Sequence, residues 1–396
     1  MQRFLSIVFY VLVFVFVMPS VCAAQSDLVP EKVTMMTAKV LHIDKQEVRD
    51  VPGTNTKTNF QTIRVEVLDG AEKGKQVTVD NDYLSLKVGE IFYMTHTSET
   101  LDGNDYYTVN DPYRLPSLFL LIALFVGAVF VFGGKQGIRG LISLVGSFLV
   151  IFYVLLPAIL HGYSPLLVTV GVASIIIVLG SYVTHGFTRS TTAAVVGMIL
   201  TVCVTGAIAY WSVGLTRLSG FGSEEAVYLN LNAGGAIDIL GLLLGGIIIG
   251  LLGVLYDAAI GQAVAVEELI RVAPHVSKVI IYERAVRIGR EHIGALVNTL
   301  AIAYVGASLP LLLLFYQTTN AGVLPTINTE IFATEIVRIM VGSIGLVLAI
   351  PITTFVAVWF LGRQQSGSSD ARTTEVELAH LATHKHTHSH GHTHGH

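Results

Sequence analysis

The sequence predicts a polytopic α-helical membrane protein of about seven transmembrane helices, preceded by a small exported β-barrel-like domain. Three observations carry that prediction. Only 13% of the 396 residues are charged while 52% are hydrophobic, against roughly 25% charged in a soluble domain. Charge is also unevenly spread, since 25 charged residues fall between Asp27 and Arg114 and only 26 in the 282 residues from Leu115 onward. Seven apolar runs of about twenty residues follow Arg114, each long enough to cross a bilayer. A net charge of -4 gives no basic field, and no basic patch is interleaved with aromatics, which argues against a nucleic-acid partner.

In chain order, Met1-Gln2-Arg3 puts a positive charge before the apolar run Phe4 to Met18, and Val21-Cys22-Ala23-Ala24 follows. That order reads as a signal peptide over residues 1–24, cleaved after Ala23 or Ala24, with an uncleaved anchor as the alternative. Cys22 leaves with the signal and Cys203 lies in an apolar run, so the exported domain has no disulfide to form. Residues 25–114 form that domain. Alternation in Ile63-Arg64-Val65-Glu66-Val67 and Gln76-Val77-Thr78-Val79, with a further run at Glu90 to Met94, predicts strands. Turn signals at Pro52-Gly53, Asp69-Gly70, Gly74, Gly89 and Asp102-Gly103 separate them. About five short strands suit a small closed barrel, an oligonucleotide-binding-type barrel being one candidate. With 15 acidic and 10 basic residues and no clustered catalytic group, its expected role is docking.

The membrane domain, residues 115–362, divides into runs near 115 to 133, 140 to 160, 165 to 183, 191 to 211, 236 to 256, 293 to 316 and 331 to 361. Starting from an exported amino terminus, Lys135, Arg139, Arg189, Arg271, Lys278, Arg284, Arg287, Arg290, Arg363, Arg372 and Lys385 all fall inside, and only Arg217 falls in an outer loop. Cytoplasmic loops carry such an excess of Lys and Arg, so the expected location is a bacterial cytoplasmic membrane, with the carboxyl terminus inside. The stretch after Pro274, Ser277 to Gly289, mixes Val279, Ile280, Ala285, Val286 and Ile288 with Lys278, Glu283, Arg284 and Arg287, which predicts a helix lying on the membrane surface.

Three stretches and one span carry a family resemblance. They are Ile138-Arg139-Gly140-Leu141, Thr184-His185-Gly186-Phe187-Thr188-Arg189, Ile288-Gly289-Arg290-Glu291-His292-Ile293-Gly294 leading to Asn298-Thr299-Leu300-Ala301-Ile302-Ala303-Tyr304, and the glycine-rich fifth span ending in Tyr256-Asp257. Together they resemble the YibE/F family of bacterial membrane proteins over roughly Thr37 to Phe360. Where that family usually has an Arg-Asp pair, this chain has Arg290-Glu291, one methylene longer. The resemblance implies a polytopic membrane protein with an exported β domain and supplies no reaction or substrate.

Polar residues inside apolar runs are the candidate sites. Gly246, Gly250, Gly253 and Asp257 share one side of the fifth span, and small residues spaced by four permit close helix packing. Asp257 lies roughly one hydrocarbon thickness from the start of that span, near its inner end, and Asn298 lies about 8 Å up the sixth from Ile293. Asp257 with Asn298 and Thr299 can pair helices or serve transport. Arg338 is about 10 Å into the seventh span if that span begins at Ile331, with Glu335 three residues before it and Asp238 entering the fifth span in the same leaflet. These read either as a structural salt bridge or as an outer gate. His185 and Arg189 read as markers of topology.

The tail, residues 363–396, is a linker followed by His380, His384, His386, His388, His390, His392, His394 and His396. Its imidazoles are ligands for Zn or Ni, although a flexible run lacks the fixed geometry of a structural zinc site. The chain has no HExxH, GxxxxGK[ST] or GxSxG motif, so the expectation is no enzyme and no required cofactor. The leading expectation is a permease for an ion or small solute with a metal-binding tail. The alternative is a non-transporting assembly or signalling component whose exported domain binds an envelope partner. The lipid bilayer is the certain surround, and a homo-oligomer is compatible with either.

Overall fold

The computed structural model describes residues 32–50, 57–98, 105–317 and 322–362. The expected signal peptide, residues 1–24, and the histidine tail 363–396 lie outside the described residues, as do the turn signals Pro52-Gly53 and Asp102-Gly103. The chain divides into a β unit that runs to Phe132 and a helical unit that begins at Gly133.

In the β unit, β1 (Lys32–Asp50), β2 (Lys57–Val67), β3 (Gln76–Asn81), β4 (Ile91–Ser98) and β5 (Tyr106–Pro112) form one antiparallel sheet in the order β3-β2-β1-β4-β5. β1 reaches 19 residues because it serves two partners, pairing Lys32–Lys39 with β4 and Ala38–Asp50 with β2. Register shifts after Val40 and Ile43 bend it between them, as bulges do. Inward residues at period two, among them Met36, Ala38, Val40, Ile63, Val65, Val79, Phe92 and Met94, build the core. Inside this core Gln61 and Asn81 are buried and bonded, Gln61 exchanging bonds with the Leu86 backbone at 2.8 and 3.0 Å. Gly70, Gly74 and Gly89 turn the chain at positive φ, where a Cβ is disfavoured.

The sheet is not the closed barrel expected from the alternation. Its edge strands β3 and β5 approach one another, but no ladder joins them among the described residues. Instead Lys75 and Glu72, just ahead of β3, bond the Tyr107 hydroxyl of β5 at 2.8 Å each. Side chains span the gap that backbone pairing would close in a barrel.

The helices are α1 (Leu115–Val150), followed by a π-helical turn (Ile151–Leu155), α2 (Leu156–Leu160), α3 (Pro165–His185), α4 (Arg189–Thr216), α5 (Glu224–Asn232), α6 (Ile239–Val272), α7 (Lys278–Ala307), α8 (Leu309–Gln317), α9 (Val323–Ile327) and α10 (Glu330–Leu361). Among the described residues, five helical stretches, or six if the bent pair α7–α8 counts as one, are long and apolar enough to cross a membrane. The expected count was seven. The difference arises because the first two apolar runs fall in one stretch of 46 residues, Leu115–Leu160, interrupted only by the non-helical Gly134 (φ 52°, ψ -141°).

α4, α6 and α10 pack together, with α3 and α7 against them. Their contacts rest on small residues, since hydrocarbon gives helices no hydrophobic reason to associate. A Cβ on Gly197 of α4 would lie 2.7 Å from Thr353 Oγ1 and 2.9 Å from Thr353 Cα on α10. On α6, Gly241 and Gly245 meet Pro165 and Thr169 of α3. The surface helix expected over Ser277 to Gly289 is instead the first half of α7, continuous with the following span, with Ile281, Ala285 and Gly289 buried. That span breaks at Ser308, where α7 and α8 meet at 68°. Pro310 explains the break, because it lacks an N–H and its ring clashes with the carbonyl four residues back.

Candidate functional site

Polar side chains gather at either end of the Ile239–Asp257 half of α6, at the start of the helix and again midway along it. Eighteen residues at 1.5 Å each separate Ile239 from Asp257, about 27 Å, close to a full hydrocarbon thickness.

At one end, α3 finishes at His185 because Gly186 takes φ 77°, and α4 begins at once, with Thr188 Oγ1 accepting from the Thr191 N–H at 3.0 Å. This tight turn presents His185 to α6, where its ring lies 5.8 Å from that of Tyr256 and within electrostatic reach of Asp257. A cavity of about 180 Å³ adjoins it, lined by His185, Thr188, Ser190, Thr191, Ile260 and Val264. Asp257 is exposed and lies near His185, and no hydrogen bond joins it to Asn298 among the described residues. Asn298 and Thr299 are exposed on α7, the Thr299 hydroxyl donating back to the Ala295 carbonyl at 2.9 Å.

At the other end, Glu335 and Arg338 of α10 form an ion pair at 2.8 Å. The second Glu335 oxygen accepts from Ser308 Oγ at 3.1 Å, in the break between α7 and α8. Both side chains are largely sheltered, at 30% exposure for Arg338 and 21% for Glu335. One turn earlier, Glu330 Oε1 accepts from Ser219 N, Ser219 Oγ and Gly220 N at 2.8, 2.6 and 2.8 Å. It thereby pins the loop between α4 and α5. A cavity of about 210 Å³ opens here, with Glu225, Thr334, Glu335, Arg338, Gly220, Gly222 and Gly246 in its wall.

The two glycines at either end of the stripe read from spacing as a packing face meet no neighbour among the described residues. A Cβ on Gly246 or Gly253 would meet nothing within 4 Å, and Gly246 leaves room in the cavity wall. Gly250 does receive a neighbour, the Tyr304 hydroxyl of α7. Asp238 caps α6 by accepting from the Gly241 N–H at 2.9 Å and does not line the cavity.

The packed helices also hold hydroxyls that are buried yet unpaired. Among the described residues of the helical unit, Ser181 Oγ, Tyr256 OH, Tyr304 OH, Thr334 Oγ1 and Thr353 Oγ1 have no hydrogen-bond partner. Tyr256 faces the Ser181 and Thr184 hydroxyls, outside hydrogen-bonding geometry with either. An unmet buried polar group costs about 1–3 kcal/mol, and native proteins keep few of them without a reason. Gln262 shows the contrasting case, its amide donating to the Ala285 carbonyl and to Thr354 Oγ1 at 2.7 Å each. No three metal-ligating side chains converge among the described residues of the helical unit.

Sequence reading reached Glu335, Arg338 and Asp257 but passed over Glu330, Glu225, Thr334, Tyr256 and Tyr304, and took His185 only as a marker of topology. His185, Tyr256 and Tyr304 did stand inside stretches that carry the family resemblance. Glu330, Thr334 and Glu225 carry no such signal, Glu330 and Thr334 meeting the distant loop between α4 and α5.

Apolar helices of this length, packed through small residues, define a polytopic membrane protein. The chain belongs to the YibE/F-like protein family, which it matches over residues 121–363. No curated protein and no solved structure matches it.

Proposed function

We propose that the protein is a permease for an ion or small solute, with α6 running between two polar vestibules. The observation that carries this reading is the set of buried hydroxyls without hydrogen-bond partners, among them Thr334 in the wall of the Glu335–Arg338 cavity, Tyr304 against Gly250 and Tyr256 beside Asp257. A passing solute or its water supplies the partners that such groups otherwise lack. Glu335 and Arg338 form the outer gate, and Asp257 with His185 forms the inner one. In this reading the chain crosses the cytoplasmic membrane seven times, Gly134 marking where α1 divides into two spans. The β unit faces outward after signal cleavage, and the histidine tail buffers Zn or Ni inside the cell. The distribution of Lys and Arg supports that orientation.

The test is reconstitution into sealed vesicles, with flux of protons, mono- and divalent cations and small organic ions followed in turn. At least one should move, and Glu335→Gln and Asp257→Asn should each slow it by about tenfold or more, since a charge placed on the proposed path is being removed. An absence of flux across the panel, or variants that transport as fast as the parent, overturns the proposal.

A further inference from the structure

The β unit carries a cluster that the permease reading does not use. His96 lies on β4 directly opposite Tyr107 of β5, and the two rings stack at 4.6 Å with only 7° between their planes. Stacking fixes the imidazole, whose side chain is 12% exposed. A carboxylate stands at each of its nitrogens. Glu72, in the turn before β3, places Oε2 3.8 Å from Nδ1, and Asp105, just before β5, places Oδ1 3.4 Å from Nε2. His96 Nε2 is nevertheless buried without a hydrogen-bond partner among the described residues.

One ligand atom from each of Glu72, His96 and Asp105 lies within 4.8 Å of the others. An ion takes one imidazole nitrogen, and ligands at 2.0–2.2 Å from a tetrahedral ion stand about 3.4 Å apart, so separations of up to 4.8 Å must close by up to about 1.4 Å. Asp105 can supply that movement, because its side chain is 49% exposed. Lys75 occupies Glu72 Oε1 at 2.7 Å and the Tyr107 hydroxyl donates to Oε2 at 2.8 Å, so an ion would use the second lone pair of Oε2, the oxygen nearer the imidazole. One imidazole and two carboxylates suit borderline divalent ions better than calcium, which takes oxygen ligands alone, or copper(I), which takes sulfur.

We propose that Glu72, His96 and Asp105 form a three-ligand site for a borderline divalent cation of the zinc class, which fastens the β2–β3 turn to the start of β5. The ion spans the gap where β3 and β5 fail to pair. Lys75 competes with it for Glu72. Metal affinity is therefore set by the balance between an ammonium and an ion at the same carboxylate.

The test uses the full chain with its eight tail histidines replaced by glutamine, so that the tail does not mask the site. Zn²⁺ is titrated in detergent against a chromophoric chelator. One equivalent should bind, and Zn²⁺ should raise the unfolding temperature of the β unit. His96→Phe keeps the ring stack and removes the ligand, and should weaken binding by about 100-fold or more, beyond the ~10–100-fold typical of losing a supporting residue. Lys75→Met should act oppositely and tighten binding, which loss of folding cannot imitate. The proposal fails if the parent binds no Zn²⁺, if His96→Phe binds it equally well, or if Lys75→Met weakens it.

Discussion

Glu330→Ala removes the carboxylate that holds the loop between α4 and α5, and its effect can be worked from three bonds. Glu330 Oε1 accepts from Ser219 N, Ser219 Oγ and Gly220 N, all within 2.8 Å. A hydrogen bond to a charged group contributes about 1.5–3 kcal/mol. Ser219 is exposed, so water replaces the acceptor there and most of that gain is recovered. Gly220 is buried, with Ile239 backbone atoms 2.9 Å from where its Cβ would be, so its N–H stays unmet. The expected loss is about 2–4 kcal/mol for Glu330→Ala and about half that for Glu330→Gln, which keeps an acceptor but no charge. Thermal unfolding in detergent reads the stability. Labelling of a cysteine placed at Ser219 reads the loop, and should speed up in Glu330→Ala because the pin is gone. Unfolding within about 0.5 kcal/mol of the parent, the range of ordinary surface substitutions, together with unchanged labelling, would refute the reasoning.

Three further outcomes follow from named contacts. Gly197→Ala should destabilise by about 1–3 kcal/mol, since its methyl meets Thr353 backbone at 2.9 Å, whereas Gly246→Ala, facing open space, should be near neutral in the same assay. Asp238→Ala should lose about 1 kcal/mol through its cap to Gly241, while Asp238→Asn keeps the acceptor and should leave both stability and flux close to the parent's. Glu72, whose folded carboxyl titrates below its ordinary 4.5, stabilises the β unit above that pH and ceases to as the pH falls through its folded value. Urea titrations of the parent and Glu72→Gln should therefore differ at pH 7 and converge in strong acid; a gap that persists there would contradict the assignment.

What was legible in the sequence was set by one-dimensional pattern. Spans declare themselves through length, and β2, β3 and β4 through alternation. Glu335 and Arg338 could be paired on paper because three residues on a helix are neighbours. Their third partner could not, since Ser308 comes from a helix break 27 residues earlier. Glu330 and Ser219 are separated by 111 residues, and no local period announces such a contact. The glycine stripe shows a second limit. Spacing placed Gly246, Gly250 and Gly253 on one side of α6, but α3 packs against Gly241 and Gly245, and a sequence does not state which side of a helix meets a neighbour. The barrel expectation failed for a related reason. Alternation shows that residues face inward, while closure depends on whether the outer strands reach one another, and here β3 and β5 end as a side-chain contact.

The elbow between α7 and α8 is tethered by a charged residue of another helix. Glu335 holds Arg338 within α10 with one oxygen and Ser308 at the elbow with the other. Neutralising that single carboxylate would slacken both grips together. A chemical event at one atom pair is thus geared to the angle of a 68° joint, which gives this end of the protein the makings of a lever.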